Sequence, residues 1–316
     1  MGSGNDLERR VYIESVGVQY SLTGIPRSIP NRVLALLRLC KPGIVAAVLV
    51  EGFTGLVLGE RGWPDGKAAF ICLSALLLSA SGSAIINGLL DASIDLRMLR
   101  LRKRSEAMEC AGRWTMLAVA LSAIIAALFL SLRFLGIKVF CLISVAVVSY
   151  SLLYTLRLKR RSPWGAVSGG IPGALPVLIG YLSASQALRM DGIILFVFML
   201  LWQPPHFWSL ALDYREEYQI AGLPVLPVSH GEGFTKYLIF IYAIALLPVS
   251  LSLWVFGFCS PWYAGSAFIL GLSFLTVCWI SLIRARKSGW VFRASIFYLI
   301  LLLTAIVVDV SFINMH

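Results

Sequence analysis

Charge is what this chain has least of. Only 14% of its 316 residues are Asp, Glu, Lys or Arg, against roughly a quarter in a typical soluble domain. That shortage excludes a disordered, highly solvated chain. Histidine occurs three times, which argues against a multi-histidine metal centre. The six cysteines, Cys40, Cys72, Cys110, Cys141, Cys259 and Cys278, have no C-x-x-C spacing, and several fall inside apolar segments. They read as small buried hydrophobes rather than metal ligands or disulfide partners. Acids are scarce even among the charges, 16 against 27 bases, leaving a net charge of +11.

What the chain has instead is apolar length. Hydrophobic residues make up 59%, and the mean hydropathy is +0.84. Crossing a hydrocarbon core of ~30 Å takes ~20 apolar residues. Nine segments qualify, near 43–60, 68–90, 114–132, 136–156, 163–183, 192–212, 237–256, 262–283 and 290–311. The expected fold is therefore all-α, a polytopic bundle of nine transmembrane helices in a lipid bilayer. Residues 1–40 are polar and interrupted by Pro26 and Pro30; they read as a cytoplasmic tail, partly disordered. Residues 41–316 read as a single transmembrane domain.

A basic, oily protein could bind nucleic acid or simply obey the positive-inside rule. The positions of the bases choose the second. Counted on alternate sides of the nine segments, 22 of the 27 Lys and Arg fall on one side. This side is expected to be cytoplasmic, which puts the N-terminus inside and the C-terminus outside. No nucleic-acid partner is needed.

The acids are more specific. Eight of the 16 lie in two loops on the basic side. Asn87, Asp91 and Asp95 end the second segment at spacings of four, and Asp213 and Glu217 repeat the spacing at the end of the sixth. Residues four apart stack on one helical face, where like charges repel, and anions at a helix C-terminus oppose its dipole. Solvated caps are one reading of such pairs. Cation binding is the other: hard carboxylate oxygens suit Mg²⁺, which keeps waters and bridges to phosphates. Basic clusters follow on the same side, Arg97, Arg100, Arg102, Lys103 and Arg104 after the first pair and Arg157, Lys159, Arg160 and Arg161 after the fourth segment. A diphosphate held between Mg²⁺ and Arg or Lys would use both kinds of group.

An internal repeat is also legible. Lys41-Pro42-Gly43 opens the first segment and Ser162-Pro163-Trp164-Gly165 the fifth, each ahead of an acidic motif by some 50 residues. Two units of four helices plus a ninth would surround one cavity. Gly165, Gly169 and Gly173 suit either close helix packing or room for a ligand. Intramembrane His206 is a candidate functional residue or a packed, hydrogen-bonded ring. Tyr150, Tyr154, Tyr181 and Trp202 could present ring faces to a cation. Glu51 and Asp309 have no assigned role.

These residues resemble the UbiA superfamily of intramembrane prenyltransferases, whose first aspartate-rich motif is similar to NGLLDASID at 87–95. KPGI at 41–44, DASIDLRMLRLRKR at 91–104, LRLKRRSPWGAVSGGIPGALPVLIGY at 156–181 and LWQPPHFWSLALDYREEYQIAGLPVLPV at 201–228 resemble the protohaem IX farnesyltransferase (haem O synthase) branch. The resemblance implies a Mg²⁺-dependent enzyme of a bacterial-type inner membrane, with farnesyl diphosphate as donor and haem B as acceptor, for which His206 is a candidate contact. It carries Asn87, Asp91, Asp95 and Glu217 as catalytic and Arg100, Arg104, Lys159 and Arg160 as diphosphate-binding. Metal ligands would be Asp91, Asp95, Asp213 and Glu217, with Glu216 an alternative to Asp213. The chain departs from the family pattern over 101–106, where it reads Leu101-Arg102-Lys103-Arg104-Ser105-Glu106, and Asp213 stands where relatives often lack an acid. A different UbiA-type enzyme, prenylating 4-hydroxybenzoate or a related aromatic, would share the aspartates but not the 201–228 segment. A transporter would be expected to carry its acids near mid-membrane rather than at one face. Association with a haem A synthase or an oxidase is left open by the sequence.

Overall fold

A computed structural model of the chain describes residues 10–13, 18–21, 31–284 and 289–313. The expected tail lies largely outside them. What is described of it is an antiparallel hairpin, β1 (Arg10–Ile13) with β2 (Val18–Ser21), and a first short helix, α1 (Arg32–Leu39).

Nine helices are long and apolar enough to span a bilayer among the described residues: α2 (Pro42–Glu60), α3 (Gly66–Asp95), α5 (Arg113–Leu135), α6 (Ile137–Arg161), α7 (Gly165–Ala184), α8 (Met190–Asp213), α10 (Glu232–Val255), α11 (Pro261–Ile283) and α12 (Gly289–Phe312). The short helices between them include α4 (Arg102–Ala111) and α9 (Arg215–Ile220). The nine expected segments are all present. The main differences are at their ends: α3 and α6 each run five residues further than hydropathy alone suggested, through Asp95 and Arg161. A polar helix end persists at a membrane boundary when its charges are compensated, and these two ends compensate each other.

The bundle is knit by small residues. α2 lies closest to α7, where Gly55 and Gly59 face the backbone of α7. A Cβ on Gly180 would sit 1.9 Å from the carbonyl oxygen of Gly52, so this crossing admits no side chain at Gly180. α3 packs on α5, α8 on α10, and α12 on α2, which closes the ring. The larger core lies between α7, α8, α10, α11 and α12, where the rings of Phe274 and Tyr298 stack 5.1 Å apart. Outward, large side chains such as Phe129, Ile269 and Phe297 are exposed, as lipid-facing positions must be.

Two expectations about helix ends change. Helix α8 breaks at Tyr214 (φ −112°, ψ 27°), and α9 begins at Arg215. Asp213 and Glu217 therefore do not share one helical face. Glu216 and Glu217 fall instead in the first turn of α9, where the dipole favours anions. The glycines of α7 also divide their roles. Gly169 faces the Tyr154 ring and Gly173 the Gln203 side chain, at 2.6 and 2.3 Å from where a Cβ would be.

Candidate active site

Asn87, Asp91 and Asp95 lie on one face of α3 and are all buried, Asp91 completely. They are not solvated caps. Asn87 Nδ2 donates to Asp91 Oδ2 at 3.0 Å, the i,i+4 contact their spacing implied. The end of α6 comes over this face. There the helix winds more widely through Ser149–Leu158, with i→i+5 hydrogen bonds, a device common at functional sites. Thr155 Oγ1 donates to Tyr150 O at 2.8 Å and accepts from Asn87 Nδ2 at 3.0 Å. Lys159 Nζ reaches Asp91 Oδ2 at 2.5 Å. Arg160 donates to the Leu90 carbonyl at 2.7 Å and lies 3.6 Å from Asp91 Oδ1.

The segment after α3, including the start of α4, adds two arginines. Arg104 pairs with Asp95 at 2.9 Å and donates to Asn87 Oδ1 at 3.3 Å. Arg100 turns to the second motif: its Nε is 3.8 Å from Glu217 Oε2, and its Nη2 donates to the Tyr218 hydroxyl at 2.6 Å. The guanidinium lies over the rings of Tyr214 and Tyr218, 4.4 and 5.0 Å from their centres. Met98, Ala221 and Leu223 form the buried contact that joins the two loops.

Asn87, Asp91, Asp95, Arg104, Lys159 and Arg160 thus converge, and Arg100 links them to Glu217. Asp213 lies by the head of α12, its Oδ2 2.7 Å from where a Cβ of Gly289 would sit. Among the described residues no three of His, Cys, Asp and Glu form a ready cluster for a metal. Arg102 pairs with Glu106 on α4. Tyr181 does not join the site: it is buried against Gly59 at the far end of α2, and its hydroxyl donates to Asp191. Tyr150 and Tyr154, stacked 6.0 Å apart, belong to the widened stretch of α6.

One site residue escaped the sequence reading. Lys41 Nζ donates to Asn87 Oδ1 at 2.5 Å. Its backbone is left-handed (φ 56°, ψ 65°), a conformation costing about 1–2 kcal/mol for a residue with a Cβ. Burial, reinforced by Arg104 and Lys159, lowers its pKa from the ordinary lysine range to about 7. An anion arriving beside it would restore its charge. The available signal was a lysine at a helix N-terminus, where the dipole disfavours a cation.

The unmet bonding capacity of this cluster has two signs. Asp91 Oδ1 and Asp95 Oδ1 are buried and accept no hydrogen bond, while Arg104 Nε and Arg160 Nε are buried and donate none. Orphaned polar groups of this kind are costly unless a ligand completes them. The oxygens fit a hard cation such as Mg²⁺, and the nitrogens fit the oxygens of an anion beside it.

Comparison with known proteins places the chain in a family. The UbiA prenyltransferase family model matches residues 48–303. The chain belongs to the UbiA prenyltransferase family. It is 49% identical over 255 residues to the protohaem IX farnesyltransferase of Geotalea uraniireducens, covering 81% of this chain and 98% of that protein. It is 36% identical over 280 residues to the protohaem IX farnesyltransferase of Aquifex aeolicus, covering 88% and 96%. Among solved structures, a digeranylgeranylglyceryl phosphate synthase matches with a TM-score of 0.74 at 18% identity, over 88% of this chain and 98% of that one. A UbiA homologue from Archaeoglobus fulgidus bound to DMAPP and Mg²⁺ matches at 0.60 and 15%, over 86% and 98%. At such identities these structures speak for the fold of this UbiA-family chain.

Proposed function

We propose that this UbiA-family chain transfers the farnesyl group of farnesyl diphosphate to a vinyl group of haem B, giving haem O. The carrying observation is the paired set of orphans, buried carboxylate oxygens on Asp91 and Asp95 beside buried donors on Arg104 and Arg160. Identity with the two farnesyltransferases supports haem as the acceptor.

Asp91 and Asp95 would hold Mg²⁺, which when bound would offset the charge of the departing diphosphate. Asp213 and Glu217 are proposed to contribute to the metal site from the second motif. Lys159, Arg160, Arg104 and Arg100 supply fixed positive charge where the leaving group gains negative charge, the arrangement that most lowers such a barrier. Asn87 positions Asp91, and Lys41 adds a further donor at the same end. The C1–O bond of the donor breaks, and the electron-rich vinyl group attacks the allylic cation. Water then adds to the resulting haem-side cation and loses a proton, leaving the hydroxyl. The Tyr150 and Tyr154 faces can stabilise the allylic cation by about 0.5–2 kcal/mol each. His206 is assigned to the haem. The site lies at the cytoplasmic face, with the N-terminus inside and the C-terminus outside.

The test is incubation of the purified, lipid-reconstituted enzyme with haem B, farnesyl diphosphate and Mg²⁺, with mass detection of the extracted haem. Farnesylated haem that disappears on chelation of Mg²⁺ is expected. Prenylation of an aromatic acid, with haem left unmodified, overturns the reading in favour of another acceptor.

A further inference from the structure

His206 is held in one orientation and one tautomer by helix α12. Its ring is stacked between Trp202, 4.5 Å away at 21°, and Phe292, 4.6 Å away at 28°. Its Nδ1 lies 2.8 Å from Ser295 Oγ. The same Oγ lies 2.7 Å from the backbone carbonyl oxygen of Phe292.

Each contact at such a distance requires a hydrogen between its two atoms. The Phe292 carbonyl has none, so the single hydroxyl proton of Ser295 is committed to it. The hydrogen in the other contact must come from the imidazole, so Nδ1–H donates to Ser295 Oγ. In the neutral ring Nε2 then carries the lone pair. Nε2 has no hydrogen-bond partner among the described residues, and His206 is only half-buried. Ser295 is also gripped from α8 a second time, because Trp202 Nε1 donates to its carbonyl at 2.9 Å. One residue of α12 thus receives both members of an i,i+4 pair.

A ring kept only for packing has no use for an uncovered lone pair about 10 Å along the helix from its polar end at Asp213. Histidines that bind metals have this form: one nitrogen is bare and the other donates to an oxygen that sets the tautomer. A bare lone pair repels a diphosphate but suits iron. We propose that Ser295 is a positioning residue that presents the Nε2 lone pair of His206 to the iron of the haem acceptor. The inference rests on the reading of haem as the substrate. The aromatic slot sets the ring plane, and Ser295 sets which nitrogen faces the iron.

The experiment titrates haem B, ferric and ferrous, into the full-length protein in lipid nanodiscs, followed by optical and electron paramagnetic resonance spectra. The wild type is expected to give the signature of imidazole-ligated iron. His206→Ala should remove it, and added imidazole should restore it. Ser295→Ala should weaken haem binding roughly tenfold, with Ser295→Thr restoring it, and none of these changes should shift farnesyl diphosphate affinity. Size-exclusion profiles of each variant confirm folding. A wild-type spectrum without a nitrogen ligand, or one that survives His206→Ala, overturns the iron contact. Unchanged haem affinity in Ser295→Ala overturns the role of Ser295. Turnover is read separately. Farnesylated haem made without an imidazole signature overturns this inference and leaves the function standing. An imidazole signature without farnesylated haem supports the ligation and overturns the function.

Discussion

Lys159 Nζ lies 2.5 Å from Asp91 Oδ2, and the carboxylate is fully buried. The pair ties the end of α6 to the middle of the acidic face of α3. It also explains why three polar residues can sit on that face without water. The cations that balance the two carboxylates arrive from α4 and the end of α6, and Asp91 Oδ1 and Asp95 Oδ1 still accept no hydrogen bond.

Substituting Asp91 tests that balance directly. Asp91→Asn keeps the shape and the acceptor for Lys159 but removes the charge, and should lower kcat/KM by at least about a hundredfold. Steady-state rates over a Mg²⁺ series check it; a variant retaining most of its activity removes Asp91 as a metal ligand.

Arg100 and Glu217 join the two motifs across 117 residues of sequence. Both are partly exposed, so their pairing is expected to be worth only about 0.2–1 kcal/mol. The activity effect of Glu217→Ala should exceed this by far, with turnover abolished. A double-mutant cycle of Arg100→Ala and Glu217→Ala, measured for stability and for kcat/KM, separates the two contributions.

The crossing of α2 and α7 allows no side chain at Gly180. Gly180→Ala is expected to destabilise the bundle by about 1–3 kcal/mol through overpacking. Gly265→Ala, where a Cβ would meet nothing within 4 Å, should leave stability within about 0.5 kcal/mol of wild type. Thermal unfolding in one detergent compares them.

Asp309 is a structural acid. Its Oδ2 accepts the Ser260 backbone N–H at 2.9 Å and its Oδ1 accepts the Ser260 hydroxyl, fastening the residue that caps α11. Asp309→Ala should cost about 1–2 kcal/mol, as loss of a cap does. kcat/KM should be unchanged in the fraction that remains folded.

Orientation is open to labelling. In a cysteine-free background, Lys103→Cys should react with an impermeant maleimide only after the membrane is breached, and Gln186→Cys should react in intact cells. The reverse pattern would invert the proposed topology.

The nine helices were legible because a bilayer demands long apolar runs, whatever the neighbouring segments are. The acidic face of α3 was legible because a spacing of four stacks side chains within one helix. Asp213 and Glu217 misled for the complementary reason: the spacing predicts a shared face only in an unbroken helix, and α8 ends at Asp213. Lys41 was read as a helix opening and Ser295 was not singled out. Neither carries a local pattern of its own; each matters through a contact with a residue distant in sequence.

Composition and periodicity therefore sufficed for the membrane and the helix count, since both depend on local hydrophobicity. Which cation meets which carboxylate, which nitrogen of His206 bears the proton, and which acids merely cap a helix follow from packing between distant segments. Those pairings come from backbone approach and the winding of α6, which summed sequence properties do not encode.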